Sequence, residues 1–318
     1  MILLVMRSSD GIIRENAADC KGSASCFCVS GVVVWTHIKK ETENTMNENE
    51  QRTLPAVEEF HAAIGDTYMN IIRFGTGKRN LVMLPGISLT PLEGSGAGIA
   101  AAYAGFAQDF TVYLPDRRAV LAPHWRTEEM AEDVFTVLTQ LGVTGADVYG
   151  VSHGGMTALA LAAQHPGFVH SLVLCSSQCR TTQKMYDFSM RGIELIREND
   201  VRGLNRHIFE HVYSPAYRAQ FKEAFDALEG VGTPEDCARY EVQLYACAEL
   251  DLTDRMDAIR CPVLVLGDEN DFVTGMEGSR EIMRYLPCES YFYDKYSHAV
   301  YDESPDINKR IFAFLKNI

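Results

Sequence analysis

Ser152 sits in the run Gly150-Val151-Ser152-His153-Gly154-Gly155, a G-x-S-x-G pattern. A serine hydroxyl is a poor nucleophile at neutral pH. It reacts when a base within hydrogen-bond reach takes its proton and an acid orients that base. Two later stretches hold such groups. Gly267-Asp268-Glu269-Asn270-Asp271 offers carboxylates, and Asp294-Lys295-Tyr296-Ser297-His298 offers an imidazole. The order along the chain is Ser, Asp, His. A set of this kind attacks an electrophilic carbonyl carbon through a covalent serine adduct. The competing reading of the motif alone is a glycine-rich turn with an idle serine.

The elements around Ser152 favour the chemical reading. The β-branched, apolar run Ala146–Val151 reads as a strand, and Met156–Ala163 is a good helix former. Between them the turn must be so tight that side chains at 150 and 154 would collide with neighbouring backbone. The His153 N–H then lies at a helix N-terminus, where negative charge is favoured. The candidate acid and base follow two further apolar runs, Pro262–Leu266 and Tyr291–Tyr293. Open parallel sheets place reactive groups at such carboxyl ends.

Other runs complete a βα alternation. Stretches 59–64 and 67–74 flank Gly65-Asp66 and predict a hairpin. Leu81–Leu84, Phe110–Leu114 and Leu172–Leu174 predict buried strands, and helices are expected near 99–107, 127–141 and 307–315. Thr127 is the expected N-cap of the second of these. Between Leu174 and Pro262 the apolar spacing is helical: Ile193 and Ile196, then Leu204, Ile208 and Val212, then Phe221, Phe225 and Leu228. The expectation is an α/β fold with a mostly parallel, doubly wound sheet. Residues 56–177 and 261–318 form its core, and residues 178–260 form a helical cap. Residues 1–55 contain a polar linker-like run from Lys39 to Glu50 and are expected to be a poorly ordered extension.

Composition narrows the function. The chain has 318 residues, 47% of them hydrophobic and 23% charged, enough for one large α/β domain with an insertion. A net charge of −14 disfavours nucleic acid and anionic membranes as partners. Nine cysteines without a C-x-x-C pair suit a reducing cytosol better than a disulfide framework. Cys26-Phe27-Cys28 lacks a second ligand pair, and no apolar run reaches the roughly 20 residues that a spanning helix needs.

Taken together, the stretch from Leu81 to Leu315 resembles the α/β-hydrolase superfamily, specifically its capped, serine-dependent esterase-like branch. The resemblance is carried by Leu84-Pro85-Gly86-Ile87, Asp116-Arg117-Arg118, the Ser152 motif, His165-Pro166-Gly167, Cys261 to Gly267 with Asp271, and His298-Ala299-Val300-Tyr301-Asp302-Glu303-Ser304-Pro305. It implies Ser152 as nucleophile, His298 as general base and acid, and Asp271 as the orienting carboxylate. It also implies an oxyanion hole made by the backbone N–H groups of Ile87 and His153. Because Asp271 lies one residue further from Gly267 than in the commonest form, Asp268 is the runner-up acid. The glycines usual after Asp116-Arg117 are missing, which leaves that loop open to reshaping and His124 free to approach the site.

The resulting expectation is a cytosolic serine hydrolase acting on a small to medium, mostly apolar ester. It would use no metal and no organic cofactor, take a small-molecule substrate, bind no nucleic acid and insert in no membrane, with a homo-oligomer allowed. A carbon–carbon bond hydrolase or an acyltransferase would use the same three residues, and a ligand sensor would keep the fold without turnover. His207 and His211, at i and i+4, are read as a solvated helix face rather than metal ligands. Gly94-Ser95-Gly96 is read as a flexible loop, and the His153 side chain as pocket lining. Cys175 and Cys179 are read chiefly as core.

Overall fold

The computed structural model describes residues 55–318 and, before them, the backbone of two strands, β1 (Ser25–Val29) and β2 (Val32–Thr36), paired antiparallel. Apart from these two strands and residue 55, the span 1–55 expected to be a poorly ordered extension lies outside the described residues.

The main sheet has eight strands. β3 (Val57–Ile64) and β4 (Thr67–Phe74) form the expected hairpin, with Gly65 at φ +57° in its turn. β5 (Arg79–Leu84), β6 (Phe110–Arg118), β7 (Ala146–Val151), β8 (Val169–Cys175), β9 (Val263–Asp268) and β10 (Glu289–Tyr293) follow. Their order across the sheet is β10-β9-β8-β7-β5-β6-β4-β3, parallel from β10 to β6 and antiparallel for the hairpin. β5, β7 and β8 run as almost uninterrupted buried apolar residues, as strands covered on both faces must.

The strand order reverses at β5, so a crevice opens outside the carboxyl ends of β5 and β7, where ligands bind in open α/β sheets. The register brings the relevant ends level: Leu84 pairs with Gly150, Val151 with Cys175, Cys175 with Leu266, and Asp268 with Tyr293.

Helices cover both faces: α1 (Gly96–Ala102), α2 (Thr127–Gln140) and α3 (His153–Gln164) lie before the insertion. α3 is buried over most of its surface, consistent with a helix that is apolar all round. The residue before α2 is Arg126, not Thr127; Thr127 is the first helical residue and its hydroxyl is used elsewhere.

The span between β8 and β9 is helical, as its periodicity predicts: α4 (Gln183–Arg197), α5 (Val201–Val212), α6 (Pro215–Gln220), α7 (Lys222–Leu228) and α8 (Pro234–Ala248). Four of these have side-chain caps, from Thr182, Asp200, Ser214 and Thr233. Arg180 and Asp251 form a bridge, and Thr181 N–H and Leu252 N–H bond Leu250 O and Cys179 O, so the insertion leaves the core through a two-stranded neck. The fold closes with α9 (Gly275–Tyr285), α10 (Val300–Glu303) and α11 (Ile307–Asn317).

The turn from β7 to α3 sets the tightest steric limit. A Cβ on Gly154 would lie 2.0 Å from Leu84 O, and one on Gly150 would lie 2.4 Å from Gly154 O. Both neighbours are backbone and cannot swing away. Gly154→Ala is therefore expected to force β5 and α3 apart, lowering the melting temperature by more than about 5 °C, since a core clash costs typically 1–3 kcal/mol or more. Calorimetry that finds the wild-type Tm in this variant would contradict the packing described.

Candidate active site

Ser152 occupies the sharp turn with φ +53° and ψ −121°, a region that non-glycine residues seldom adopt. The surroundings hold it there. Its N–H bonds Cys175 O at 2.9 Å, and its carbonyl accepts from Gly155 N–H and Met156 N–H of α3. Ser177 Oγ donates to that same carbonyl at 2.8 Å, and the side chain of Ser177 fills the space that the missing Cβ of Gly155 leaves. A strained backbone that is over-determined in this way is typical of functional sites.

Asp271 and His298 are brought together at the carboxyl ends of β9 and β10. Asp271 Oδ2 accepts from His298 Nδ1 at 2.9 Å and from Thr274 Oγ1 at 2.6 Å, while Oδ1 accepts from the N–H groups of Val273 and Thr274. Burial alone would raise this carboxyl. The His298 imidazole and the donors from Thr274 and Val273 outweigh it and hold Asp271 at about 2. An ionised Asp271 can only accept, so Nδ1 of His298 carries the proton and Nε2 is left as the basic nitrogen. Ser152, Asp271 and His298 are 2%, 2% and 1% exposed, so all three lie under cover.

The runner-up acid has a different task. Asp268 accepts from the N–H groups of Asn270, Lys295 and Tyr296, tying the loop after β9 to the loop after β10. It builds the shelf on which the Asp271–His298 pair rests.

Several partners escaped the sequence reading. Ser176, at φ +49°, donates Oγ to His298 O at 2.7 Å. The adjacent residues Ser176 and Ser177 thus hold the backbones of His298 and Ser152. A serine pair at the end of a strand already identified was the available signal. The His153 side chain does not line a pocket. It is fully buried, accepts from Arg117 Nη2 at its Nδ1 (2.9 Å), and faces Thr127 Oγ1 from its Nε2 (3.1 Å). Burial, then the Arg117 charge, push it well below the usual histidine range, so it is a neutral structural imidazole. Arg117 Nη2 also donates to Pro85 O, next to the loop that carries Ile87.

Other expectations are corrected or placed. His124 is exposed, stands beside Tyr245 and is not at the Ser152 turn. His207 is not on a solvated face; it stacks on Phe188 and bonds Phe188 O. Gly94-Ser95-Gly96 is no flexible loop: Glu59 accepts from Gly94 N–H and Gly96 N–H, and α1 starts there. Cys175 and Cys179 are fully buried. Among the described residues no cluster of three or more His, Cys, Asp or Glu side chains could hold a metal ion, and no helix is long and apolar enough to cross a membrane.

With this geometry, comparison with known proteins becomes informative. A model of the alpha/beta hydrolase fold matches residues 81–305. The chain belongs to the alpha/beta hydrolase family. Within it, this hydrolase is similar to a Caulobacter protein named as a carbamate hydrolase, RutD, with 26% identity over 62% of this chain and 76% of the relative. It is also similar to 3-oxoadipate enol-lactonase 1 of Acinetobacter baylyi, with 23% identity over 60% and 71%. Among solved structures, an alpha/beta hydrolase enzyme from a Medee basin deep-sea metagenome library has a TM-score of 0.73 at 18% identity, covering 81% of this chain and 97% of its own. The enol-lactonase from Burkholderia xenovorans has a TM-score of 0.71 at 19% identity, covering 80% and 99%.

The two aspartates separate by experiment. Asp271→Asn is expected to lower turnover by roughly 10³- to 10⁴-fold, because the imidazole loses its tautomer and orientation, and to lower Tm, because four donors lose their carboxylate acceptor. Asp268→Asn is expected to lower Tm, through three backbone donors left with a weaker acceptor, and to cost turnover far less. Kinetics that give the reverse order of turnover loss would exchange their roles.

Proposed function

We propose that this alpha/beta hydrolase is a serine hydrolase, carboxylesterase-like, that works through an acyl-serine intermediate. The observation that carries the reading is the buried His298–Asp271 pair at strand ends, joined to the strained Ser152 turn through the adjacent hydroxyls of Ser176 and Ser177. In this mechanism Nε2 of His298 takes the Ser152 proton as Oγ attacks the acyl carbon. The N–H groups of Ile87 and His153 receive the oxyanion, the latter at the N-terminus of α3. The imidazolium then protonates the leaving alcohol, and Asp271 stabilises its charge. Water, activated by the same imidazole, releases the acid.

The helical insertion acts as a cap over these residues, and residues 56–177 with 261–318 act as the hydrolase core. Substrates are small to medium, mostly apolar esters. Ala299 and Val300 follow His298, Ile87 carries one of the proposed oxyanion N–H groups, and all three are buried, which supports an apolar acyl site. Cyclic esters belong to the same class, and two relatives are named as enol-lactonases. The cap's aromatic residues contribute less to selectivity than their number suggests: Phe209, Tyr213, Tyr217, Phe221 and Phe225 pack on one another. We place the protein in the cytosol on its nine cysteines, an odd number without a C-x-x-C pair.

The test is Ser152→Ala. Ester turnover should fall by roughly four orders of magnitude, since the three residues act as a unit. A fluorophosphonate probe should label the wild type and not the variant. On the wild type, kcat/KM should rise from acetyl to butyryl or hexanoyl esters, by about fourfold per buried methylene at most, and then fall. Equal labelling of both proteins would refute the nucleophile, and a flat acyl profile would refute the apolar site.

A further inference from the structure

The loop that would supply one oxyanion donor is held by the insertion rather than by the core. Ser88 immediately follows Ile87. Its N–H donates to Gln243 Oε1 at 3.1 Å, and its carbonyl accepts from Gln243 Nε2 at 3.1 Å. Gln243 lies on α8, 155 residues away, and both residues are fully buried. The side-chain amide thus pairs with both backbone groups of Ser88, as a neighbouring strand would. Gln243 Nε2 also donates to Arg239 O, which fixes the amide along its own helix.

A second contact pins the same loop from the same helix face. Arg239, one turn before Gln243, donates Nη2 to Asp116 Oδ1 at 2.9 Å, and Asp116 Oδ2 accepts Leu92 N–H at 2.9 Å. Further along α8, Ala246 O accepts from Thr127 Oγ1, which meets the His153 ring. Ile87 and His153 are the two residues whose N–H groups would face the oxyanion. Both are reached from α8, directly at Ser88 and through Thr127 at His153.

We infer that Gln243 is a positioning residue for the oxyanion hole: through its paired bonds to Ser88, insertion helix α8 sets the direction of the Ile87 N–H. This rests on the serine-hydrolase reading above. The physical reason is that an oxyanion donor is effective only if it is already aimed at the developing charge, and a loop peptide is aimed by what its neighbours bond. Within the loop, Ser88 has no choice of partner for either backbone group, because water is excluded and an unpaired buried amide is costly.

The test uses a reversible tetrahedral-adduct inhibitor, an alkyl trifluoromethyl ketone, alongside ester kinetics. Gln243→Met keeps the volume and loses the pairing. Its kcat should fall by about 10- to 100-fold, less than the roughly 10²- to 10³-fold expected when an oxyanion donor is removed outright, with KM within about threefold. Ketone affinity should fall by a similar factor, because the adduct mimics the transition state. A merely structural glutamine would lower Tm and leave ketone affinity per folded enzyme unchanged, and that result overturns the inference.

Gln243→Glu keeps the test decisive if the methionine variant does not fold. A protonated carboxyl at this position can still accept from Ser88 N–H and donate to Ser88 O; an ionised one cannot donate. The ratio of variant to wild-type kcat should therefore approach one at low pH and fall as pH rises through the pKa of the introduced carboxyl. A ratio that is flat with pH overturns the inference. If wild-type turnover is insensitive to both the ketone and Ser152→Ala, the serine-hydrolase reading fails instead, and the two failures are distinguishable.

Discussion

The site depends on three backbones meeting where no side chain fits. The end of β5, the end of β7 and the start of α3 approach so closely that a single methyl on Gly154 or Gly150 would sit inside a backbone carbonyl. This approach forces Ser152 into its unusual conformation and lifts its side chain clear of the sheet. It also places the loop that carries Ile87 beside the first N–H groups of α3. The strain at Ser152 persists because Cys175 O and Ser177 Oγ bind its N–H and its carbonyl from the next strand. Remove that approach, and both the proposed nucleophile and its proposed oxyanion donors lose their relative positions together.

Around this steric knot the polar groups are arranged by what burial permits. Asp116 is almost fully buried and remains tolerable because it accepts from Arg117 N–H, Leu92 N–H and Arg239 Nη2. Arg117 is less well served. Its Nη2 reaches Pro85 O and His153 Nδ1, yet Nε and Nη1 find no hydrogen-bond partner among the described residues. Burial pushes its guanidinium down to about 10. Burial, and then this positive charge beside it, keep His153 neutral, which suits an imidazole whose work is to brace a helix. His298 has the opposite surroundings, with an ionised carboxylate on its Nδ1. Two histidines are thus set apart by their partners, one as a strut and the other as the proposed base.

Much of this was legible in the sequence because it is local. The G-x-S-x-G turn, the apolar runs and the helical spacing of the insertion each follow from residues a few positions apart, and the strands and helices fall where those patterns put them. The resemblance puts Asp271 ahead of Asp268 despite an offset of one residue in the spacing, and Asp271 is the one hydrogen-bonded to His298. What could not be read is what distant residues do to one another. Thr127 looks like an N-cap because a threonine stands at a helix start, but the ring of His153, 26 residues away, claims its hydroxyl. His207 looks solvated by helix periodicity, but Phe188 from the preceding helix covers it. Gln243 has no local signal at all; its meaning depends on a backbone amide 155 residues earlier.

The insertion is fastened on a third side as well, and that seam has its own response to pH. Val212 O accepts Ala299 N–H, one residue past His298, while Ser214 gives both its N–H and its hydroxyl to Glu303 and Tyr213 Oη donates to Asp302. These donors are all neutral, so they only partly repay the two carboxyls for leaving water as anions. Burial accordingly raises Asp302 to about 6 and raises Glu303 as well. A carboxyl raised in the folded state stabilises the fold relative to its unfolded value only while it is protonated. For Asp302 that contribution is complete below about 4 and is lost as pH rises to about 6. The Asp271–His298 pair beside it runs the other way, because Asp271 is held down: its contribution is present above about 4 and disappears as pH falls toward about 2. The ground under the proposed base therefore combines a carboxyl whose burial costs stability once it ionises with one whose ionised form is held by its partners. At neutral pH both carboxyls are ionised, so the seam bears that cost while the Asp271–His298 pair keeps its full contribution.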